Sequence, residues 1–503
     1  MTGIRQKTGY IWAFLIAFLP RLFWSLQAIP LRTVSDELST MNGAVFFSSQ
    51  NWNAVVSKAG YYGFGMSILA TPLMQWIKDP VILYRTLLVC TGVLESVAAV
   101  ICFYLIKRVF GITDEKKALL MTVTISYITV VRTTVFYNEH MLMLISWCIC
   151  LVLAKLVLTE EPKKRAMWTG FFVLLMLYAL TVHARTTTYI FAAVLVIALY
   201  GLMYRKKMVS LSVFGILTAG GYLLIKKGTK IYQSVVWSTT EGVGNTRVNI
   251  GQEKLSLLKT ADGIKACLFT IFGQINIASM ISGGLLITAL VMVILLIVRK
   301  GKEAFVLKTI QADNAQERLY FVIGSFFVLC TGMTIAAQSL TWIATAANAL
   351  ADGYGAKQYG TKAFTYLRYM MPYLQPLLML VFVTMEKQKD LFLSCFRKSI
   401  KYIVLIQGIW LAFILPYCYG NKQAGEEFIC FALADRNIAT AHTYLPATLV
   451  FVIMLLIFFR AGKKEKFQVI MVVLLVVAGY KYCYNAYNWD CLLYTSDAAD
   501  DRI

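Results

Sequence analysis

The chain has 503 residues, of which 59% are hydrophobic and only 15% charged, at a mean hydropathy of +0.66. That balance excludes a water-soluble enzyme, since apolar segments of about 20 residues, long enough to cross a bilayer, recur along the whole length. The formal charge of +22 does not mark a nucleic-acid binder, because Lys and Arg fall in short clusters between apolar segments, as in positive-inside membrane topology.

The apolar runs predict an all-α polytopic membrane protein of about thirteen transmembrane helices. In chain order they cover roughly 9–29, 82–106, 118–136, 140–158, 166–182, 187–204, 209–226, 277–298, 319–338, 367–385, 401–418, 444–460 and 467–484. Gly65 to Ile77 is apolar but only thirteen residues long, which suits an interfacial helix in the first outer loop. With that segment interfacial and the N-terminus inside, the basic clusters all fall on the inner side. These are Lys107/Arg108/Lys116/Lys117, Lys163/Lys164/Arg165, Arg205/Lys206/Lys207, Arg299/Lys300/Lys302, Lys387 to Lys401 and Arg460 to Lys466. Long stretches at about 30–81, 227–276 and 339–366, and a shorter one at 419–443, are then expected outside, where loops of such length usually carry function.

Residues 1–490 read as a single transmembrane domain without internal repeats. Arg5 and Lys7 before an apolar run imitate a signal peptide, but no small-x-small cleavage site follows, so an uncleaved first helix is expected. Cys491 to Ile503 reads as the in-frame translation of a transposase sequencing adaptor, a non-native tail whose removal would move the net charge to about +24. The eleven cysteines are scattered through apolar segments without metal-ligand spacing, and the three histidines, His140, His183 and His442, have no acidic partner at ligand spacing. Neither a metal site nor a cofactor is expected.

The residues suited to chemistry lie at the outer corners. Asp36 and Glu37 follow the first helix, and Glu139 stands between the third and fourth. A carboxylate there can deprotonate a sugar-acceptor hydroxyl or steady a developing cation, although Ser35 or Asp36 could equally cap a short helix. Outward cations need a reason other than topology, and a lipid phosphate is one. Arg85, Arg368, Lys362 and Lys357 are the candidates, with Lys58 and Arg185 behind them. Arg21 sits inside the first helix directly after Pro20, where a charge is either functional or snorkels to the interface. Trp52, Tyr61, Tyr62, Tyr354, Tyr359 and Tyr366 can stack on sugars, but interfacial belts use the same residues.

These features together resemble the polytopic glycosyltransferases of superfamily C (GT-C). The likeness rests on the first span followed by Asp36-Glu37, the Tyr61-Tyr62-Gly63-Phe64-Gly65 segment, the helix headed by Arg85, and Glu139. It is good over roughly residues 1–200, and it is nearest the family-39-like enzymes, kin to protein O-mannosyltransferases and the lipid A aminoarabinose transferase. The resemblance implies metal-independent, inverting transfer of a sugar from a polyprenyl-phosphate donor to an envelope acceptor. The place would be the extracytoplasmic face of a bacterial inner membrane. Asp36 would be the first-loop catalytic acid, Glu37 its neighbour and Glu139 the second acid, while Arg85, Arg368, Lys362 and Lys58 would hold the donor phosphate. The Pro-Pro that many relatives carry after the interfacial loop is absent, which bears on the acceptor class. A polysaccharide polymerase or O-antigen-type ligase, and a non-enzymatic flippase or transporter, are the alternatives; a transporter should show broken helices at the midplane.

Overall fold

The computed structural model describes residues 2–28, 35–49, 63–128, 135–236, 251–307, 314–354, 359–418 and 441–461, with isolated positions up to 484. The described residues are helical, without a strand. Helices α1 (Thr2–Gln27), α2 (Ser35–Phe47), α3 (Gly65–Trp76), α4 (Pro80–Tyr104), α5 (Glu115–Ile128) and α6 (Asn138–Leu158) come first. They are followed by α7 (Pro162–Val182), α8 (Thr187–Tyr204), α9 (Leu211–Val236), α10 (Gln252–Leu257), α11 (Ala261–Ile281) and α12 (Leu285–Lys302). The remainder are α13 (Ala315–Thr341), α14 (Ile343–Ala351), α15 (Met371–Lys387), α16 (Lys389–Ile409, continued to Cys418) and α17 (Ala441–Ala461).

Eight of the described helical segments are long and apolar enough to cross a membrane, rather than the thirteen expected. The first lies in α1 and the second in α4 with its π-turn extension to Val109; α6, α7, Ala184–Tyr204, α11, α13 and Lys389–Cys418 are the others. Part of the shortfall is a matter of length: α15 has 17 residues. The span expected at 118–136 runs into 129–134 and the one at 467–484 consists largely of residues outside those described. Helices α2 and α3, at 13 and 12 residues, are too short to cross, in keeping with interfacial elements. They lie on one another, Ser67 Oγ donating to the Thr40 carbonyl at 2.5 Å.

The sequence reading fails most clearly between 227 and 298. The expected outer loop is partly helical, because α9 continues to Val236 and α11 begins at Ala261. The expected span at 277–298 is broken at Ser282–Gly284, where Gly283 and Gly284 adopt φ of +57° and +79°. Contacts with α16 show how the two pieces run. Lys265 reaches the Tyr417 hydroxyl, Gly284 lies against Ile403, and Thr288 meets Ser399. Partner numbers fall steadily as the chain advances, so α11 and α12 run antiparallel to α16 without reversing and make one broken crossing. A Cβ on Gly283 would come within 2.2 Å of the Phe458 ring. With the left-handed backbone costing a further 1–2 kcal/mol or so, Gly283→Ala is expected to lower the thermal midpoint of the purified protein by several degrees. An unchanged midpoint would mean that the break is not required.

The basic clusters gather at one end of the bundle. Lys117 pairs with Glu386 at 2.9 Å, Lys387 donates to the Phe110 carbonyl at 2.5 Å, and Lys300 pairs with Glu317 at 2.5 Å. We call this end the basic face. Helices α4, α6, α8 and α15 all run toward it, so their N-termini lie together at the opposite end. At the centre, α6 and α15 are buried along nearly their whole lengths and are joined by Trp147 Nε1 donating to Gln375 Oε1 at 2.7 Å. Tyr189 on α8 bonds Ser146 on α6 at 2.7 Å and packs edge-on against Tyr373 on α15.

Candidate functional site

Because α6, α8 and α15 are locked together, the residues at their N-terminal ends are held in fixed relation. Glu139 is the second residue of α6, Arg185 lies in the short turn that opens α8, and Arg368 lies in the turn that opens α15. Asp36, in the first turn of α2, completes the group. Arg185 donates from Nη2 to Glu139 Oε1 at 2.7 Å, and Arg368 Nε lies 3.6 Å from the same oxygen. Nη2 of the same guanidinium grips Asp36 Oδ2. Two acids and two arginines thus form a chain, Asp36–Arg368–Glu139–Arg185, joining residues up to 332 positions apart.

Aromatic rings box the two guanidinium groups. Arg185 stacks over Tyr369 at 3.8 Å, and Arg368 lies 4.3 Å from the Tyr137 ring centre and 5.5 Å from that of Tyr366. Such stacking favours Arg over Lys, since the planar cation keeps its edge free for acid or phosphate oxygens. Asp36, Thr40, Tyr137, Asn138, Glu139, His183, Arg368 and Tyr369 line a narrow cleft whose side chains close on one another without room for a water molecule between them. The Asp36 side chain is 21% exposed and Glu139 4%, so an incoming group meets Asp36 first.

His183 closes the cleft, its ring 5.5 Å from that of Tyr369 and its Nδ1 accepting from Arg185 N–H at 3.1 Å. Burial, and the charges of Arg185 and Arg368, hold its imidazole well below the ordinary value of about 6.5. The unfolded chain therefore binds a proton at this residue that the folded chain refuses. Stability from this group is complete above about pH 6.5 and falls as the pH drops below it. Between pH 7.5 and 5.5 wild type is expected to lose about 1 kcal/mol more than His183→Gln. Thermal midpoints at the two pH values decide it, and parallel losses would remove His183 as the cause.

The other expected site residues divide. Glu37 points away from the cleft: its Oε1 accepts from the Tyr84 hydroxyl at 2.7 Å and from the Phe136 amide at 2.8 Å, tying α2 to α4 and to the start of α6. Arg85 donates to the Ala28 carbonyl at 3.3 Å and so fastens the end of α1. Lys362 does not line the cleft; its Nζ lies 5.8 Å from the centre of the Tyr366 ring that Arg368 also approaches. Lys58, Trp52, Tyr61, Tyr62 and Lys357 lie outside the described residues, as do the side chains of Tyr359 and His442.

Arg21 does not snorkel. It is buried against Glu95 of α4, with Nε and Nη2 both 2.5 Å from Glu95 Oε2. The other Glu95 oxygen lies 2.6 Å from His140 Nδ1, and His140 Nε2 lies 3.2 Å from the Val135 carbonyl. Pro20 shapes this region too. The Ile16 carbonyl that loses its helical partner to Pro20 accepts from Tyr127 at 3.1 Å, and the Ala17 carbonyl takes Arg21 Nη1 at 2.7 Å. Sequence reasoning passed over Glu95, although an acid in an apolar segment is itself a signal.

Fold and site define an all-α, multi-pass membrane protein with a buried chain of acids and arginines at the end opposite its basic face. No protein-family model matches the sequence, and no curated protein matches it either.

Proposed function

We propose that the chain is a membrane glycosyltransferase that moves a sugar from a polyprenyl-phosphate donor to a hydroxyl of an envelope acceptor. The observation that carries this reading is Asp36 held by Arg368 in a cleft shared with Glu139 and Arg185. An arginine already desolvated beside carboxylates can exchange one anion for another without a second desolvation of its own. A donor phosphate that takes Arg368 would therefore release Asp36. The freed carboxylate accepts the acceptor's hydroxyl proton as that oxygen bonds to the anomeric carbon. The bond from that carbon to the phosphate oxygen breaks, and the phosphate leaves with the electron pair on Arg368, beside the N-termini of α6, α8 and α15. Attack opposite the leaving phosphate inverts the anomeric centre. Polyprenyl-phosphate as the donor, the outer side of a bacterial inner membrane as the place and the envelope acceptor come from the resemblance to superfamily C.

One feature favours transport instead, the break in the α11–α12 crossing. Its backbone is satisfied locally, with Leu286 N–H donating to Ser282 Oγ at 3.0 Å and Gly284 N–H to the Ser279 carbonyl at 2.8 Å. Apolar Phe458, Leu455 and Ile403 surround it, so it offers little to a polar cargo. Purified protein given a panel of polyprenyl-phosphate sugars and cell-envelope extract should release polyprenyl phosphate with at least one donor, and deletion of the gene should remove a glycan from the envelope mass profile. Movement of intact donor across vesicles without release of polyprenyl phosphate would replace the transferase reading with the transporter.

A further inference from the structure

At the opposite end of the bundle, α12, α13, α15 and α16 leave a cavity of about 510 Å³, within the range of lipid and cofactor sites. Its wall is apolar, formed by Met292, Leu296, Leu380 and Leu391 among others, and the hydroxyl-bearing Tyr320 and Thr384 also line it. Arg299, Asn314, Gln316, Glu317 and Gln388 stand at its polar end. Leu295 and Leu391 on its rim are 38% and 47% exposed, so the cavity opens sideways toward hydrocarbon. Close packing leaves few voids of this size in a protein interior, and in a bilayer a lateral opening is filled by lipid chain.

Charge selects the kind of lipid. The segments 299–303, 314–318 and 386–398 around the polar end carry eight Lys and Arg against four Asp and Glu. Nearest the mouth, the carboxylates are already engaged: Lys300 holds Glu303 at 2.7 Å and Glu317 at 2.5 Å. Arg299 pairs with Glu317 through one amino group and lies 3.8 Å from Glu303 through Nε, yet its side chain is 55% exposed, and Lys302 is exposed beside it. Those four groups balance, so the surplus open to an outside anion comes from exposed Lys302 and the basic residues of the surrounding segments, with Arg299 reaching the mouth. We propose that the cavity holds an acyl chain of one anionic phospholipid from the leaflet on the basic face, with the phosphate on Arg299. Basic pockets between helix ends recognise anionic headgroups by this combination of chain volume and charge.

The test uses the full chain, purified in detergent and delipidated. Titration with phosphatidylglycerol or phosphatidylcholine of equal chain length, read by native mass spectrometry, should show one retained molecule with preference for phosphatidylglycerol. Arg299→Gln should reduce that preference roughly fivefold, the effect of one surface cation. Leu295→Trp, at the tolerant exposed rim, should weaken both lipids by filling the entrance. Photoactivatable phosphatidylglycerol, which needs no variant, should place adducts within 289–296, 380–384 and 391–395. Equal binding of the two lipids, or adducts spread evenly to exposed Ile216, Leu223 and Leu224 of α9, would overturn the proposal. So would a cross-link showing that residues 462–485 of the chain itself fill the cavity.

Discussion

Asp36→Asn is expected to reduce sugar transfer by about 10²- to 10⁴-fold, the usual loss when a general base is removed. Asparagine keeps the shape of the side chain and can still touch Arg368 through its carbonyl oxygen, but it cannot accept the acceptor's proton. The same change removes one of the two carboxylates on Arg368 and leaves Glu139, so donor binding should hold or tighten while turnover collapses. This opposition separates a chemical role from a structural one, because a variant that merely misfolds loses both. Glu37→Gln provides the contrast. Its buried carboxylate accepts from Tyr84 and from the Phe136 amide, so its loss should appear as a lower thermal midpoint with turnover per folded molecule little changed. Full transfer by Asp36→Asn, or loss of donor affinity in parallel with turnover, would remove Asp36 from the chemistry.

Arg21→Met or Glu95→Gln should each destabilise the protein by about 3–5 kcal/mol, since removing one charge of a buried pair leaves the other charged and without its partner. Both side chains are nearly inaccessible, at 5% and 3% exposure, which leaves solvent little room to compensate. The double variant Arg21→Met with Glu95→Gln should recover most of that loss, because the amide keeps a partner for His140 and no stranded charge remains. Thermal unfolding of the two single variants and the double variant in one detergent gives the coupling directly. A double variant as unstable as the sum of the single ones would mean that the pair contributes nothing jointly.

Long apolar runs with polar flanks were legible in the sequence: α1, α4, α6, α7, α8 and α13 fall close to where those runs predict. The α11–α12 crossing was not, because Lys254 and Lys259 precede it, Asp262 and Lys265 stand in its first turns, and Gln274 and Asn276 dilute its apolar run. Gln274 is buried because it donates to the Ala363 carbonyl, far along the chain, and no local window contains that information. The same limit applies at the cleft. Asp36, Glu139, Arg185 and Arg368 could each be picked out for standing at an outer corner. Their junction through Arg368 depends on the docking of α2 against the start of α15. Arg85 and Glu37 show the converse, as residue types suited to the chemistry that the packing employs elsewhere.

Glu139 and His140 are neighbours in one helical turn, yet Glu139 reaches into the cleft and His140 into the bundle interior, toward Arg21 and Glu95. Both side chains leave the same helical turn, so a shift of one is expected to be felt at the other. An anion that draws Arg368 from Glu139 is then expected to alter the protection of α1 and α4, well away from the cleft. Amide hydrogen exchange along α1 and α4 would then register an occupied cleft, giving a screen for ligands that needs neither a labelled sugar nor a known acceptor.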